Sequence, residues 1–320
     1  KNICHLALYL FCMQLIGWLC TSKNNLPGPI AMKSKLIFLV TSFLFTSCVY
    51  AAGLEKIMEK GFIEFAVYEN FPPYSYKDEN GQVKGVDVDL GKLVAEKMGV
   101  KSGFRLFQAD ESVEDDLRNL VWKGHYLAGG AADVLLHTPY DVNFAKQNKK
   151  VIFTQPYFRE VVAFAVNTGR VRSARTLEVF ATEPIGVETA SLSDAYLLGA
   201  FSGKLRDSVR HYVTVTDAVN AMIHREVSAV MANRGELEHG LLQHEHDFLV
   251  TKLPTPGLSV EGWELCAAVS SENVNLANKL DEVIGELRQS GEIEFIFKSH
   301  GLSYHPASES ALLLVSGDEK

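Results

Sequence analysis

Cysteine is nearly missing from most of this 320-residue chain. Four of the five, Cys4, Cys12, Cys20 and Cys48, fall in the first 51 residues, and only Cys266 follows, in the apolar run 263–269. One thiol can form neither an intrachain disulfide framework nor a cysteine-ligated zinc site. Positive charge is also scarce. The first 51 residues hold four lysines and no acid, so the rest of the chain sets 27 basic side chains against all 39 acidic ones. A nucleic-acid binder needs the opposite sign at its contact surface, and no nucleic-acid partner is expected. Internal repeats and low-complexity linkers are lacking too. What remains, 47% hydrophobic and 22% charged residues with a mean hydropathy of +0.03, is the balance of a folded globular protein.

Long apolar runs are confined to the beginning. Met32-Lys33-Ser34-Lys35 followed by the apolar stretch 36–45 reads as a basic n-region and a hydrophobic core too short for a permanent span. Val49-Tyr50-Ala51 then suits cleavage after Ala51, so 32–51 is expected to be a signal peptide directing the mature chain out of the cytoplasm. Phe45-Thr46-Ser47-Cys48 is a degenerate lipobox and makes a lipoprotein anchored at Cys48 the alternative. Residues 1–31 precede this complete signal and read as translation from upstream of Met32. The run 311–315 near the other end is far too short to span.

Along the mature part, strands alternate with helices. Residues 62–68 are rich in β-formers and alternate in part, and 132–136, 161–166, 184–188 and 227–231 read as further short strands. Leu90, Leu93, Val94 and Met98 fall on one face of a helix stopped by Gly99. Ser191 or Ser193 is a plausible cap for a helix after the turn 189–191, and Thr216 for one carrying Val219, Met222 and Ile223. Leu276, Leu280, Val283, Ile284 and Leu287 form the clearest stripe, between Asn273 and Gly291. The pattern argues an α/β architecture with mainly parallel sheets.

The order of certain motifs resembles the bacterial extracellular solute-binding proteins of family 3. Phe71-Pro72-Pro73-Tyr74 is similar to their aromatic turn after the first strand, and Gly85-Val86-Asp87-Val88-Asp89-Leu90 to their Gly-Phe-Asp-Val-Asp-Leu helix start. Ala132-Asp133-Val134, Phe153-Thr154-Gln155-Pro156-Tyr157, Gly186-Val187-Glu188-Thr189 and Gly291-Glu292-Ile293-Glu294-Phe295 follow in the family's order. The resemblance implies a type II periplasmic-binding-protein fold: two α/β lobes joined by two hinge crossings, with the ligand closed between them. Mapped here, lobe 1 is 53–160 plus 261–305, lobe 2 is 161–260, and 306–320 is a tail. The crossings fall near 158–163 and 253–262. Open α/β sheets bind ligands beyond the carboxyl ends of their strands, which selects the segments to consider.

The resemblance also implies anchors that this chain lacks. Amino-acid-binding members clamp the α-carboxylate with an arginine after the turn that here reads His137-Thr138-Pro139-Tyr140-Asp141, and no arginine lies between Arg118 and Arg159. Their lobe-2 aspartate for the α-ammonium corresponds to neutral Asn233. Each lost contact is a charge-assisted bond of about 1.5–3 kcal/mol, so a standard amino acid is not the expected ligand unless Arg159 or Lys146 substitutes. Asp141 in place of the clamp reverses charge and would favour a cationic or polyhydroxyl ligand, or else it is a turn residue.

The expected ligand-binding set is Phe71, Tyr74, Asp87, His137, Thr138, Tyr140, Asp141, Arg159, Glu188, Thr189, Ser191 and Asn233. Each has a structural alternative: Phe71 and Tyr74 as core, Asp87 as a helix cap, His137 in a structural hydrogen bond, Glu188 merely at a helix start. His244 and His246, in the acid- and histidine-rich stretch 236–247, could chelate zinc or copper or simply lie in a solvated loop. The longer stretch 125–130 either rims the cleft, meets a partner, or is a tolerated surface insertion. No nucleophile-base-orienter set is legible, so no enzyme, cofactor or resident metal is expected. The leading function is a monomeric periplasmic receptor delivering a small polar solute to an inner-membrane ABC permease. The alternatives are an accessory protein of a periplasmic quinoprotein dehydrogenase and a dehydratase on the same fold, with Glu188 or the His137 and Asp141 pair as its acid or base.

Overall fold

The computed structural model describes residues 53–125, 129–172, 174–244 and 246–312. The expected signal segment 32–51, the candidate lipidation site Cys48, residues 1–31 and the tail end 313–320 lie outside them, as does the middle of the 125–130 insertion. No helix of the described residues is long and apolar enough to cross a membrane.

The chain begins with α1 (Leu54–Lys60), β1 (Phe62–Tyr68), the short strands β2 (Tyr76–Lys77) and β3 (Val83–Lys84), α2 (Val86–Lys97) and β4 (Lys101–Phe107). Then come α3 (Val113–Leu117), a π-turn at Arg118–Trp122, β5 (Val134–Tyr140), α4 (Val142–Gln147), β6 (Val151–Phe153) and the long β7 (Phe158–Asn167). After a 3-10 turn follow β8 (Ile185–Glu188), α5 (Leu192–Gly203), β9 (Val209–Tyr212), α6 (Val215–Ile223), β10 (Ala229–Asn233), α7 (Arg234–Gly240) and β11 (Phe248–Thr251). The chain returns through β12 (Gly262–Ser270) and closes with α8 (Val274–Gln289) and α9 (Glu292–Ser299).

Strand periodicity explains the layering. In β1, β5 and β12, Phe65, Leu136 and Leu265 point into one cluster with the α2 and α8 stripes, while Ala66, Leu135 and Cys266 point into another on the opposite face. Adjacent residues on a pleated strand face opposite sides, so a near-continuous apolar run is what a sheet covered on both faces requires. The second half repeats the scheme: Phe164 and Met231 face one cluster, Ala165 and Val230 the other. The stripe Leu276, Leu280, Val283, Ile284 and Leu287 is fully buried against the first core; each such leucine or isoleucine contributes roughly 1.5–3 kcal/mol.

The strand order is β4-β1-β5-β12-β7-β10-β8-β9, with β6 beside β12 and β11 beside β7. Phe158 to Val161 of β7 pair with β12, whereas Val162 to Val166 of the same strand pair with β10, so one strand passes from the first core into the second. β12 makes the return from Gly262. The sheet is less parallel than the sequence suggests. β1 with β4 and β5, and β8 with β9 and β10, are parallel, but every pairing of β7 and β12 is antiparallel, because these two strands carry the chain between the cores in opposite directions. Another expectation shifts by two residues. α6 is capped by Thr214, whose Oγ1 accepts from the Asp217 amide at 3.1 Å, and Thr216 lies inside the first turn. Asp217 returns the interaction by accepting from the Thr214 hydroxyl at 2.8 Å. An acid three residues past Thr214 marks that residue as the cap.

Candidate functional site

The turn after β1 is locked to the start of α2. The Tyr74 amide donates to the Phe71 carbonyl at 2.9 Å, and the Val86 and Asp87 amides each donate to the turn, to Pro73 and Tyr74, at 3.0 Å. Gly85 makes this approach possible. Its φ is +127°, and a side chain there would collide with the Tyr74 carbonyl.

That docking carries Asp87 beneath His137 and assembles a buried polar network. Asp87 Oδ2 lies 3.1 Å from His137 Nδ1, the His137 amide donates to the Tyr157 hydroxyl at 3.0 Å, and that hydroxyl lies 3.4 Å from Asp87 Oδ1. His137 has a φ of +57°, and its ring packs 4.3 Å from Tyr74 and 5.1 Å edge-on from Phe71. The Tyr74 hydroxyl donates to Glu160 on β7, whose second oxygen accepts from the Val161 amide at 2.9 Å. Burial pushes Glu160 up to about 7, opposed by the Tyr74 hydrogen bond and the His137 imidazole. Burial also raises the Tyr74 and Tyr157 hydroxyls well above their ordinary range.

Above this network lies a cavity of about 350 Å³. Asn70, Phe71, Pro72, Tyr76 and Lys77 line it from the first half, and Glu188, Thr214, Val215, Thr216 and Glu236 from the second. Glu188 closes β8 at its carboxyl end, where open α/β sheets place their ligands. Glu236 sits in the first turn of α7 and accepts a hydrogen bond from the Asn233 side chain. Burial raises both carboxyls, and for Glu236 repulsion from Glu188 and then Glu160 adds to it. The site therefore joins an aromatic wall to acids that cannot readily share negative charge.

Of the twelve residues singled out from sequence, Phe71 and Glu188 line this cavity, while Tyr74, Asp87 and His137 form the network beneath it and Asn233 holds Glu236. The others lie elsewhere. Asp141 is exposed and caps α4, its Oδ1 accepting from the Asn143 and Phe144 amides at 2.9 and 3.1 Å. Arg159 pairs with Glu264 at 2.7 Å, the Tyr140 ring faces Phe153 at 6.2 Å, and Thr138 is buried. The Thr189 hydroxyl donates to the Tyr212 carbonyl, and Ser191 caps α5. Sequence reasoning missed Asn70, Tyr76, Lys77, Thr214 and Glu236. For Glu236 the available signal was an acid three residues after Asn233 at a strand-to-helix turn, hidden by reading 236–247 as one segment. Among the described residues, no three His, Cys, Asp or Glu side chains are grouped to hold a metal.

Comparison with known proteins bears on the whole of this frame. The chain is 24% identical over 277 residues to the probable ABC transporter arginine-binding protein ArtJ of Chlamydia trachomatis serovar D, spanning 85% of this chain and 97% of that protein. It is 20% identical over 255 residues to the arginine-binding periplasmic protein of Mannheimia haemolytica, spanning 79% and 94%. The solved structure of an ancestral cationic amino acid solute binding protein superposes with a TM-score of 0.63 at 18% identity, over 78% of this chain and 99% of that one. A likeness this distant in sequence shows the type II binding-protein fold. Residues 63–303 match the model of one family, running from β1 to the turn after α9 and so through both cores and both connecting strands. The chain belongs to the bacterial extracellular solute-binding proteins, family 3.

Proposed function

We propose that this protein is a periplasmic receptor that captures a small cationic solute in the cavity between Phe71 and Glu236 and passes it to an ABC importer. The observation that carries the reading is the facing of Glu188 and Glu236 on one cavity whose opposite wall is Phe71 and Tyr76. A cation between the carboxylates relieves their repulsion, and aromatic faces attract cations by about 0.5–2 kcal/mol. Two relatives with near-complete coverage carry arginine-binding names, which supports a positively charged ligand and favours transport over an accessory role beside a dehydrogenase.

The amino-acid end of such a ligand is less well served. No arginine lines the cavity, and Lys77, 3.5 Å from Glu69, is the one cation among the lining residues. Agmatine, which keeps the guanidinium of arginine and lacks its carboxylate, is therefore expected to bind at least as tightly as arginine. Closure of the two lobes around the ligand is the whole mechanism, with no catalytic step. Thermal shift and calorimetry with agmatine, putrescine, arginine and citrulline test this. The cations should raise the melting temperature and neutral citrulline should not. Binding confined to neutral or anionic solutes would overturn the assignment.

A further inference from the structure

A second contact joins the two halves and shares only Tyr76 with the cavity lining. α7 is anchored in the second core by Leu237, and the segment 300–305 after α9 is anchored in the first core by Leu302. Between them Glu238 accepts from the Ser303 amide at 2.7 Å and from its hydroxyl at 2.8 Å, while Arg234 holds the same carboxylate at 2.6 Å. Leu242 lies directly against Gly301, where any side chain would collide with it.

Histidines crowd this contact. The His239 ring lies 6.0 Å from Tyr76, and its Nδ1 is buried without a hydrogen-bond partner. His305 lies 6.3 Å from Phe158, and its Nε2 is likewise buried and unpartnered. A neutral imidazole tolerates one unpaired nitrogen at modest cost, whereas an imidazolium there must bury a charged donor with nothing to receive it.

We infer that this contact is an acid-released latch: with His239 and His305 neutral, α7 lies on the segment 300–305, and protonation of either histidine frees it. The surrounding charges set the direction. His239 faces Tyr76 on β2 and His300 after α9, with Glu238 beside it on its own helix; burial and then His300 hold its basicity below the ordinary 6.5. His300 itself is 2.9 Å from Asp89, which Lys92 also contacts at 2.9 Å. His305 faces Arg234 and Glu238 on α7, and its carbonyl accepts from the Arg159 amide, whose side chain pairs with Glu264. Burial and then Arg234 lower it, and Glu238 opposes them. A histidine less basic when latched than when free favours the latched form at high pH and releases it as pH falls below the open-state value. Each such histidine changes the latching equilibrium by up to about tenfold per pH unit in that range.

The amide of Ser303 reports the latch directly, since its hydrogen-bond partner is on the other core. Hydrogen exchange of the ligand-free protein, corrected for intrinsic rates, should show protection at Ser303 falling at least tenfold from pH 7.5 to 5.0. Protection at core amides such as Leu265 should hold. The double variant His239→Phe/His305→Phe should keep Ser303 protected at pH 5.0. Unchanged wild-type protection, or equal loss in the double variant, overturns the latch. Should the double variant fail to fold, NMR titration of the wild-type imidazoles decides: midpoints below 6.5 for His239 and His305 support it, and midpoints at or above 6.5 refute it. None of these readouts requires a ligand, so a wrong ligand assignment leaves them intact.

Discussion

Glu160 is fully buried on the strand that passes between the cores, and replacing it by glutamine should make the protein more stable at neutral and alkaline pH. Its pKa is raised from the ordinary 4.5 to about 7, so the folded state holds a proton that the unfolded chain gives up. The protonated form confers its full stability below about pH 4.5, and that stability is lost progressively as pH rises to about 7. At 1.36 kcal/mol per pKa unit, the loss amounts to about 3 kcal/mol. Gln keeps the volume, can accept from the Val161 amide through its carbonyl oxygen and can donate to the Tyr74 oxygen, so Glu160→Gln removes the ionisation and little else. Urea unfolding of both proteins at pH 4.5, 6, 7 and 8.5 measures the difference. The variant should gain on wild type between pH 4.5 and 7 by up to about 3 kcal/mol and hold that gain above. A difference constant across the series would refute the account, because it would mean that Glu160 matters through shape or hydrogen bonding and not through charge.

Two substitutions separate the cavity from its surroundings. Glu236→Gln should weaken binding of agmatine or arginine roughly 10- to 150-fold by calorimetry, the loss of a charge-assisted contact of about 1.5–3 kcal/mol, with no loss of stability at pH 8 since the raised carboxyl is already unfavourable there. Asp141→Ala should do the reverse, lowering stability by about 1 kcal/mol through loss of the α4 cap while cation affinity stays within twofold of wild type.

How far the sequence discloses this molecule differs between frame and site. Strands and helices are legible because their signals are local and repeated: the stripe ending at Leu287 needs only its own spacing, and Gly99 and Gly291 stop helices wherever they stand. The direction of β7 and β12 is not local. It depends on which strands each meets after crossing, so the antiparallel pairings escape a reading of consecutive segments. The site is harder still. Asp141 stands out in sequence because it replaces an expected arginine, yet its carboxylate is satisfied by two amides of its own helix, a demand any helix start makes. Glu236 has no such prominence, and only the fold brings it across from Phe71.

Beneath the cavity, Tyr74 links site and hinge. Its ring packs on Phe71, which lines the cavity, its hydroxyl holds Glu160 on β7, and Gly235 at the start of α7 lies against that hydroxyl so closely that a side chain there would strike it. One residue thus contacts the aromatic wall, the connecting strand and the helix that bears Glu236. The carboxyls of Glu160, Glu188 and Glu236 are all raised, which makes the ligand-free arrangement electrostatically unfavourable at neutral pH. Groups tuned away from their ordinary pKa cluster where function requires it, at a cost in stability. Under the proposed function, a cation in the cavity lowers Glu188 and Glu236, which line it, and so stabilises the form in which α7 and the 70–77 turn face each other. Binding should accordingly release protons at pH 7. Calorimetry of agmatine in phosphate and in Tris, buffers of different ionisation enthalpy, should yield different apparent heats, and identical heats would show that these carboxyls do not respond to the ligand.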